Sequence, residues 1–227
     1  MHEDATHDFA AMLAKKYGAS TPVGAQPNAR RVIVRGMPCV AKLIVHRSER
    51  GVHRPGGISA KSGFDTEREV YRRLEKRHTA WPVRIVDAFR ARSGNTTGYV
   101  VVTSEFRGAA PWDAYVPSAT RDAAVSRQLM EQTAAVHRAG FVHWDLFLKN
   151  VLFAPPRSVA VIDFEKAEAC TDRDTQRNDY ITLASEFAGR PNTRGIALRL
   201  LRAFDSATAK LAFEHMLHKR RDDSELE

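Results

Sequence analysis

Three polar residues lie close enough together in one stretch of the chain to take part in the same chemistry. His143, Asp145 and Asn150 occupy a polar loop between two short apolar runs, Phe141-Val142 and Val151-Leu152-Phe153. Short apolar runs with turn residues between them are typical of buried strands. The spacing therefore predicts that a turn between two strands presents an imidazole, a carboxylate and an amide.

A second carboxylate follows another apolar run. The run Val159–Ile162 ends abruptly on Asp163, and a carboxylate at the end of an apolar strand is costly unless it is paired or binds a metal. We expect adjacent turns to bring Asp145, Asn150 and Asp163 together as hard oxygen ligands. Such a set suits Mg²⁺ bound to phosphate groups.

The elements that must hold these residues change in character near residue 106. Residues 17–28 and 46–63 are rich in glycine and polar residues and are predicted as loops. A helix is predicted over 64–78, with Asp65 or Thr66 as its cap. Strands are predicted over 31–34, 39–45, 83–86 and 99–102, the first two as a hairpin. The first hundred residues are thus expected to be mostly strands plus one helix.

The rest of the chain reads as mainly helical. A long helix is predicted over 121–139, with Thr120 as cap and Gly140 as stop. Two short strands follow around Val151 and over 159–162, and helices continue from Asp174 onward. A β-rich front half joined to an α-rich back half predicts two lobes of one catalytic unit with a ligand cleft between them.

Composition limits the partners. The net charge of +8 and the pI near 9.8 favour anionic partners such as nucleotides, phosphorylated sugars or lipid head groups. The arginines are scattered rather than clustered with aromatic residues, which argues against nucleic-acid binding. Cys39 and Cys170 are expected to be reduced thiols. Because the chain has neither a signal-peptide pattern nor a long apolar run, we expect a cytoplasmic protein.

The segment His143–Asn150 with Asp163-Phe164 resembles the H-x-D-x-x-x-x-N loop and the D-F-x motif of the protein-kinase-like superfamily. The resemblance implies that Asp145 orients and deprotonates an acceptor hydroxyl group. It also implies that Asn150 and Asp163 hold Mg²⁺ on the phosphates of ATP, and that His143 braces the loop.

The same resemblance implies an α+β, bilobal fold with a small β-rich N-lobe over about 1–104 and one helix in it. A hinge over about 105–108 and a compact, mainly helical C-lobe over about 109–227 complete the expected single domain. Backbone groups of Glu105, Phe106 and Arg107 would bind the adenine edge in the hinge. The G-x-G-x-x-G phosphate loop is absent; Gly18 and Gly24 only bracket a short segment that a simple flexible loop explains equally well.

Lys42 lies in the run Val40-Ala41-Lys42, where the resemblance expects a phosphate-gripping lysine on a strand. Its partner should be a glutamate on the sheet-facing side of the next helix. Glu67 has Val70, Tyr71 and Leu74 at helical spacing and is predicted to be buried. Glu69 has arginine and lysine at those spacings and is predicted to face solvent. We therefore expect the ion pair Lys42–Glu67.

Departures from the protein-kinase pattern indicate the kind of acceptor. Phe147 stands where Ser/Thr protein kinases carry a lysine, Glu165 replaces the glycine of D-F-G, and no long activation segment follows. The run Ile162–Ala167 and the later Asp179 are similar to those of the lipopolysaccharide-core (Kdo and heptose) kinases. In that resemblance Asp179 anchors the catalytic loop and has no catalytic role.

Three functions stay open at this point. The first is phosphotransfer to a sugar or to an anionic core glycolipid, with peripheral contact at an inner membrane face through a basic, apolar patch that includes Trp112, Trp144 and Phe147. The same aromatic residues could instead be core. The second is a compact atypical protein serine/threonine kinase of the RIO type, with a protein acceptor. The third is a pseudokinase that acts as a nucleotide-binding interaction module.

Overall fold

The computed structural model describes residues 2–24, 26–44, 59–77, 81–93, 96–110, 112–190 and 193–202. Its helices are α1 (His2–Tyr17), α2 (Ala60–Arg77), α3 (Ala119–Arg138), α4 (Arg173–Ala188) and α5 (Arg194–Arg202). Its strands are β1 (Thr21–Val23), β2 (Gln26–Val34), β3 (Met37–Ile44), β4 (Ile85–Ser93), β5 (Thr96–Ser104), β6 (Phe141–Val142), β7 (Val151–Ala154), β8 (Ser158–Val161) and β9 (Glu168–Ala169). The predicted α+β class is confirmed.

The chain forms two compact units. The first consists of Met1–Glu105 with the short segment Phe164–Lys166, and the second of Phe106–Asp163 with Ala167–Glu227. The first unit contains β1 to β5 with α1 and α2, whereas the second contains α3 to α5 and the short strands β6 to β9. No helix among the described residues is both long enough and apolar enough to cross a membrane.

A five-stranded sheet in the order β1-β2-β3-β5-β4 forms the centre of the first unit. Its strands pair antiparallel, and β2 and β3 form the predicted hairpin, in which Val34 pairs with Met37. Side chains alternate between the two faces of a strand. Cys39, Ala41 and Leu43 accordingly lie in one apolar cluster with Phe9 and Leu13 of α1.

The other face of the sheet packs against α2. Ile44 and Val101 cluster there with Ala60 and Phe64. Lys42 pairs with Val101 across β3 and β5, and residues directly opposite each other in an antiparallel pair share a face. The strand period therefore directs Lys42 toward α2, although its immediate neighbours in sequence point to the opposite core.

In the second unit, α3 supports the hairpin of β7 and β8. Val151 pairs with Val161 in that hairpin. The Gln132 side chain donates to the Val159 carbonyl at 2.7 Å and accepts from the Val161 N–H at 2.8 Å. An amide side chain thus pairs with one edge of β8 as a neighbouring strand would, which fixes the hairpin against α3.

Two expectations for the first unit were wrong. The region 17–28, expected to be a loop, contains β1 and the start of β2. The single expected helix is joined by α1, which buries Phe9 and Leu13. Proline and glycine hid a short strand with an irregular register at Pro22 and Val23. The predicted loop over 46–63 lies outside the described residues except at its end, where α2 has already begun.

Two predicted helix caps were also wrong. α2 starts at Ala60, and the Ser62 N–H donates to Ser59 Oγ at 3.0 Å, so Asp65 and Thr66 lie inside the helix. Gly63 in the first turn, a poor helix former, concealed this start. For α3 the cap is Ser118 rather than Thr120. The stop at Gly140 is confirmed, since Gly140 has φ +88 directly after the last turn.

Candidate active site

Asp179 on α4 holds the backbone of the loop that contains Asp145. Its carboxylate accepts the N–H of His143 at 2.8 Å and the N–H of Trp144 at 3.1 Å. His137 Nε2 lies 2.9 Å from the same carboxylate. Asp179 is only 2% exposed, and a buried carboxylate is tolerated when hydrogen bonds satisfy it. The predicted anchoring role of Asp179 is therefore confirmed by its contacts.

The imidazole of His143 connects the loop to the segment before Asp163. The Asp145 N–H donates to His143 Nδ1 at 3.3 Å, and His143 Nε2 lies 3.0 Å from the Ile162 carbonyl. Because Nδ1 accepts, the proton resides on Nε2, which donates to Ile162. The ring is 1% exposed. These bonds join the loop to the residue before Asp163, and the bracing role expected of His143 stays a prediction.

Asn150 is bound to Asp145 through its side-chain amide. Asn150 Nδ2 donates to the Asp145 carbonyl at 2.8 Å and to Asp145 Oδ2 at 3.1 Å. A single 3₁₀ turn, Leu148–Asn150, sets this spacing, and the Asn150 N–H donates to the Phe147 carbonyl at 2.9 Å. Because the NH₂ group faces Asp145, the amide oxygen of Asn150 faces away from it. That oxygen is an acceptor that these two bonds leave unused.

A cation sits beside the Asp145 carboxylate. Lys149 Nζ lies 3.2 Å from Asp145 Oδ2, and the Lys149 side chain is 59% exposed. Lys149 was not among the residues predicted from the sequence, where Phe147 stands in place of the lysine of protein kinases. The spacing of four residues from Asp145 was the available signal. The loop thus presents a positive charge next to Asp145 from a different position.

Asp163 follows the end of β8, which lies beside the start of β7 in the hairpin. The Ile162 N–H donates to the Asn150 carbonyl at 3.0 Å, so the hairpin register holds the residue before Asp163 against Asn150. Asp163 has φ +70 and Trp144 has φ +60. Positive φ is uncommon for residues other than glycine, and such conformations concentrate at functional sites.

The chemistry of these side chains fits a hard divalent cation. Mg²⁺ prefers oxygen ligands and is usually held by one or two protein carboxylates together with phosphates. Asn150 offers an amide oxygen directed away from Asp145, and Asp163 offers a carboxylate at the end of a buried strand. The donor set therefore suits Mg²⁺, while the assignment of Asn150 and Asp163 as ligands stays a prediction.

In the first unit, Lys42 forms an ion pair with Glu67. Lys42 Nζ lies 3.2 Å from Glu67 Oε2, and the Glu67 side chain is 3% exposed. Glu69, two residues further along α2, has a side chain that is 35% exposed and is bound by Arg72 and Arg73. Hydrogen bonds from Arg72 and then Arg73 lower the pKa of Glu69 to about 2. The helix period thus buries Glu67 and leaves Glu69 at the surface.

Glu165 is a partner of Lys42 that the sequence analysis missed. Lys42 Nζ lies 3.0 Å from Glu165 Oε2, and the Glu165 side chain is 14% exposed. In the sequence, Glu165 stands out only as a departure from the glycine of D-F-G. No periodicity relates residue 165 to residue 42, so the contact required the folded structure.

The residues expected to bind adenine are partly used within the fold. The Glu105 N–H donates to the Pro38 carbonyl at 3.0 Å, and the Glu105 carboxylate binds Arg31 at 2.8 Å. The amide of Glu105 is therefore already engaged, because the β3–β5 pairing continues to this residue. Adenine contacts from backbone groups of Glu105, Phe106 and Arg107 stay a prediction. So does a phosphate-covering role for the segment between Gly18 and Gly24, which contains β1.

The three aromatic residues expected in one surface patch behave differently. Trp112 is 9% exposed and packs on Tyr115, Phe153 and Phe187. Of the two alternatives, the core position is therefore the correct one for Trp112, because Phe187 of α4 and Phe153 of β7 enclose it. Phe147 is 37% exposed, and Trp144 is half-buried. Phe147 is thus the apolar side chain that the loop presents to solvent.

An H-x-D loop with an asparagine five residues after the aspartate, followed by a hairpin that ends on a second aspartate, is typical of protein-kinase-like phosphotransferases. The model of the lipopolysaccharide kinase (Kdo/WaaP) family matches residues 59–204. This match covers more than half of the chain, and the chain belongs to that family of kinases. The search of curated proteins gave no match.

Proposed function

We propose that the protein transfers the γ-phosphate of ATP to a hydroxyl group on a sugar of a lipopolysaccharide-core glycolipid. In this proposal Asp145 is the general base, and Asn150 and Asp163 hold Mg²⁺. Lys42, paired with Glu67, contacts the phosphates of the nucleotide. His143 and Asp179 maintain the loop geometry.

The observation that carries the proposal is the geometry around Asp145. Its backbone N–H is bound by His143 and its carboxylate by Asn150, while Asp179 fixes the two residues before it. Phosphoryl transfer needs little covalent chemistry from the protein, and its rate depends on positioning and on charge stabilisation. A carboxylate on a loop that these hydrogen bonds hold in place suits that requirement.

Two residues of the loop, Asp145 and Lys149, have different roles in the proposed transfer. The Asp145 carboxylate accepts the proton of the acceptor hydroxyl group while the oxygen of that hydroxyl group attacks the γ-phosphorus. Lys149, beside Asp145 Oδ2, offers positive charge to the phosphoryl group that is transferred. Bound Mg²⁺ would neutralise charge on the phosphate oxygens. As the new bond from the acceptor oxygen to phosphorus forms, the bond from the γ-phosphorus to the bridging oxygen breaks, and ADP leaves with that oxygen.

The proposed acceptor follows from the family and from charge. Core glycolipids carry phosphate and carboxylate groups, and a chain of net charge +8 attracts anionic partners. Beside Asp145 the loop presents the exposed Lys149 and Phe147. A cation next to an apolar ring suits a sugar that bears negative charge.

The test is transfer of radiolabel from γ-labelled ATP with Mg²⁺ to a panel of core glycolipids and generic protein acceptors. Asp163→Ala serves as the inactive variant, and Asp174→Ala, which alters an exposed carboxylate of α4, as the matched control. We expect label in glycolipid with wild type and the control, and none with Asp163→Ala. Label in protein alone would replace the glycolipid with a protein acceptor. Nucleotide binding without any transfer would favour a pseudokinase.

A further inference from the structure

Lys42 lies between two carboxylates rather than beside one. Glu67 Oε2 is 3.2 Å and Glu165 Oε2 is 3.0 Å from its ammonium nitrogen. The exposed fractions of the three side chains are 17% for Lys42, 3% for Glu67 and 14% for Glu165. The ammonium group is therefore shared inside a cluster that water reaches only partly.

The formal charges of this cluster oppose the binding of a bare polyphosphate. One ammonium group and two carboxylates sum to a single negative charge. Like charges repel more strongly where partial burial limits screening by solvent. A lysine paired only with Glu67 would be a neutral pair. Glu165 supplies the additional negative charge, at a position where the D-F-G motif has no side chain.

The two carboxylates differ in how firmly they are held. Glu67 lies in the middle of α2, an 18-residue helix, and is almost fully buried. Glu165 lies in an irregular segment that follows Asp163, whose φ is +70. Glu165 is also the more exposed of the two. Of the two partners of Lys42, Glu165 is therefore the one that lies outside a helix and closer to solvent.

We propose that Glu165 makes the binding of nucleotide phosphates depend on a divalent cation. Without nucleotide, the Glu165 carboxylate occupies Lys42. With nucleotide, the phosphates take Lys42, and the Glu165 carboxylate turns to the divalent cation that accompanies them. This inference rests on the proposed function, since it requires that ATP binds at Lys42. It assigns Glu165 as a positioning residue that selects the metal–nucleotide complex over free nucleotide.

The test compares nucleotide affinity with and without metal. Calorimetric titration with a non-hydrolysable ATP analogue, in excess Mg²⁺ or in EDTA, gives the ratio of the two dissociation constants. For the wild type we expect a large ratio. For Glu165→Gln, which removes the charge and keeps the shape, we expect the ratio to fall at least about tenfold, mostly because metal-free binding becomes tighter.

Two further variants complete the experiment. Glu165→Gly introduces the glycine of D-F-G and should lower the ratio of dissociation constants as Glu165→Gln does. With two variants, the result does not depend on the folding of either one. Glu168→Gln removes an exposed carboxylate three residues away and should keep the wild-type ratio.

The two possible failures are distinguishable. If the wild type binds the analogue with Mg²⁺ and both Glu165 variants keep the wild-type ratio, this inference is overturned while the proposed function stands. If the wild type binds no nucleotide even with Mg²⁺, the proposed function fails and the inference fails with it.

Discussion

The loop around Asp145 and the cluster around Lys42 are held in different ways. Asp179, His143 and Asn150 bind the loop through backbone groups at distances between 2.8 and 3.3 Å. Lys42 is held by side-chain ion pairs with the buried Glu67 and the more exposed Glu165. Backbone hydrogen bonds fix the path of the chain, whereas side-chain ion pairs can exchange partners.

In the proposed function, this difference corresponds to two chemical tasks. A general base must already be in position when the acceptor arrives, so a rigid loop is an advantage. A phosphate-binding lysine must release one anion to accept another, so an exchangeable partner is an advantage. Trp144 and Asp163 have positive φ angles. They lie in or beside the loop around Asp145, where hydrogen bonds hold the backbone in this uncommon conformation.

Removal of the Asp179 carboxylate should have the largest effect. Asp179→Ala leaves the buried N–H groups of His143 and Trp144 without their acceptor and deprives His137 of its partner. We expect a loss of about 3 kcal/mol or more in the free energy of unfolding, measured by urea denaturation, and near-complete loss of transfer. Asp174→Ala on the same helix is the control and should resemble wild type. Equal stability of the two variants would show that the loop is not anchored by Asp179.

Neutralisation of Glu67 should have an intermediate effect that separates the two regions. Glu67→Gln removes the buried partner of Lys42 and leaves the loop in the second unit unaltered. We expect kcat/KM for ATP to fall about 100-fold with a folded loop. Glu69→Gln alters a carboxylate that binds Arg72 and Arg73 at the surface and should stay close to wild type. Similar losses in both variants would contradict the distinction between the buried and exposed faces of α2.

Substitution of Tyr180 should have the smallest effect, visible only at alkaline pH. Burial, followed by the negative charge of Asp179, raises the pKa of Tyr180 from 10.0 to about 12. Between these values the folded state keeps a proton that the unfolded state loses, so stability falls as pH rises from about 10 to about 12.

Tyr180→Phe removes this contribution. The dependence of the unfolding free energy on pH should become shallower by up to about 1.4 kcal/mol per pH unit in that window, as measured by denaturant titration at several pH values. At neutral pH the variant should be nearly as stable as wild type. The hydrogen bond that it loses, from the Tyr180 hydroxyl to the Met130 carbonyl, is long at 3.4 Å. If the unfolding free energy of the variant depended on alkaline pH as that of wild type does, the pKa of Tyr180 would not be raised in the folded state.

Periodicity and motif spacing predicted the parts of the molecule that depend on local sequence. The β2–β3 hairpin, the burial of Glu67 and the strands around Asp145 and Asp163 all follow from patterns within a few residues. The anchoring by Asp179 followed from the resemblance. These features required no knowledge of distant contacts.

The parts that were missed depend on packing between distant segments. α1 has little apolar periodicity, and it is stabilised because Phe9 and Leu13 complete a core formed by β2, β3 and β5. Trp112 is enclosed by residues far along the chain, Phe153 and Phe187. The contact of Glu165 with Lys42 joins positions more than a hundred residues apart. Sequence pattern has no signal for such contacts.

The most direct test of the account is the rate of phosphate transfer by Asp145→Asn under single-turnover conditions with ATP, Mg²⁺ and core glycolipid. Asparagine keeps the shape of Asp145 and cannot accept the proton. We predict that the rate falls about 10³-fold, while the affinity for the ATP analogue and the stability to urea remain at wild-type values. A rate within a few-fold of wild type would contradict the assignment of Asp145 as the general base.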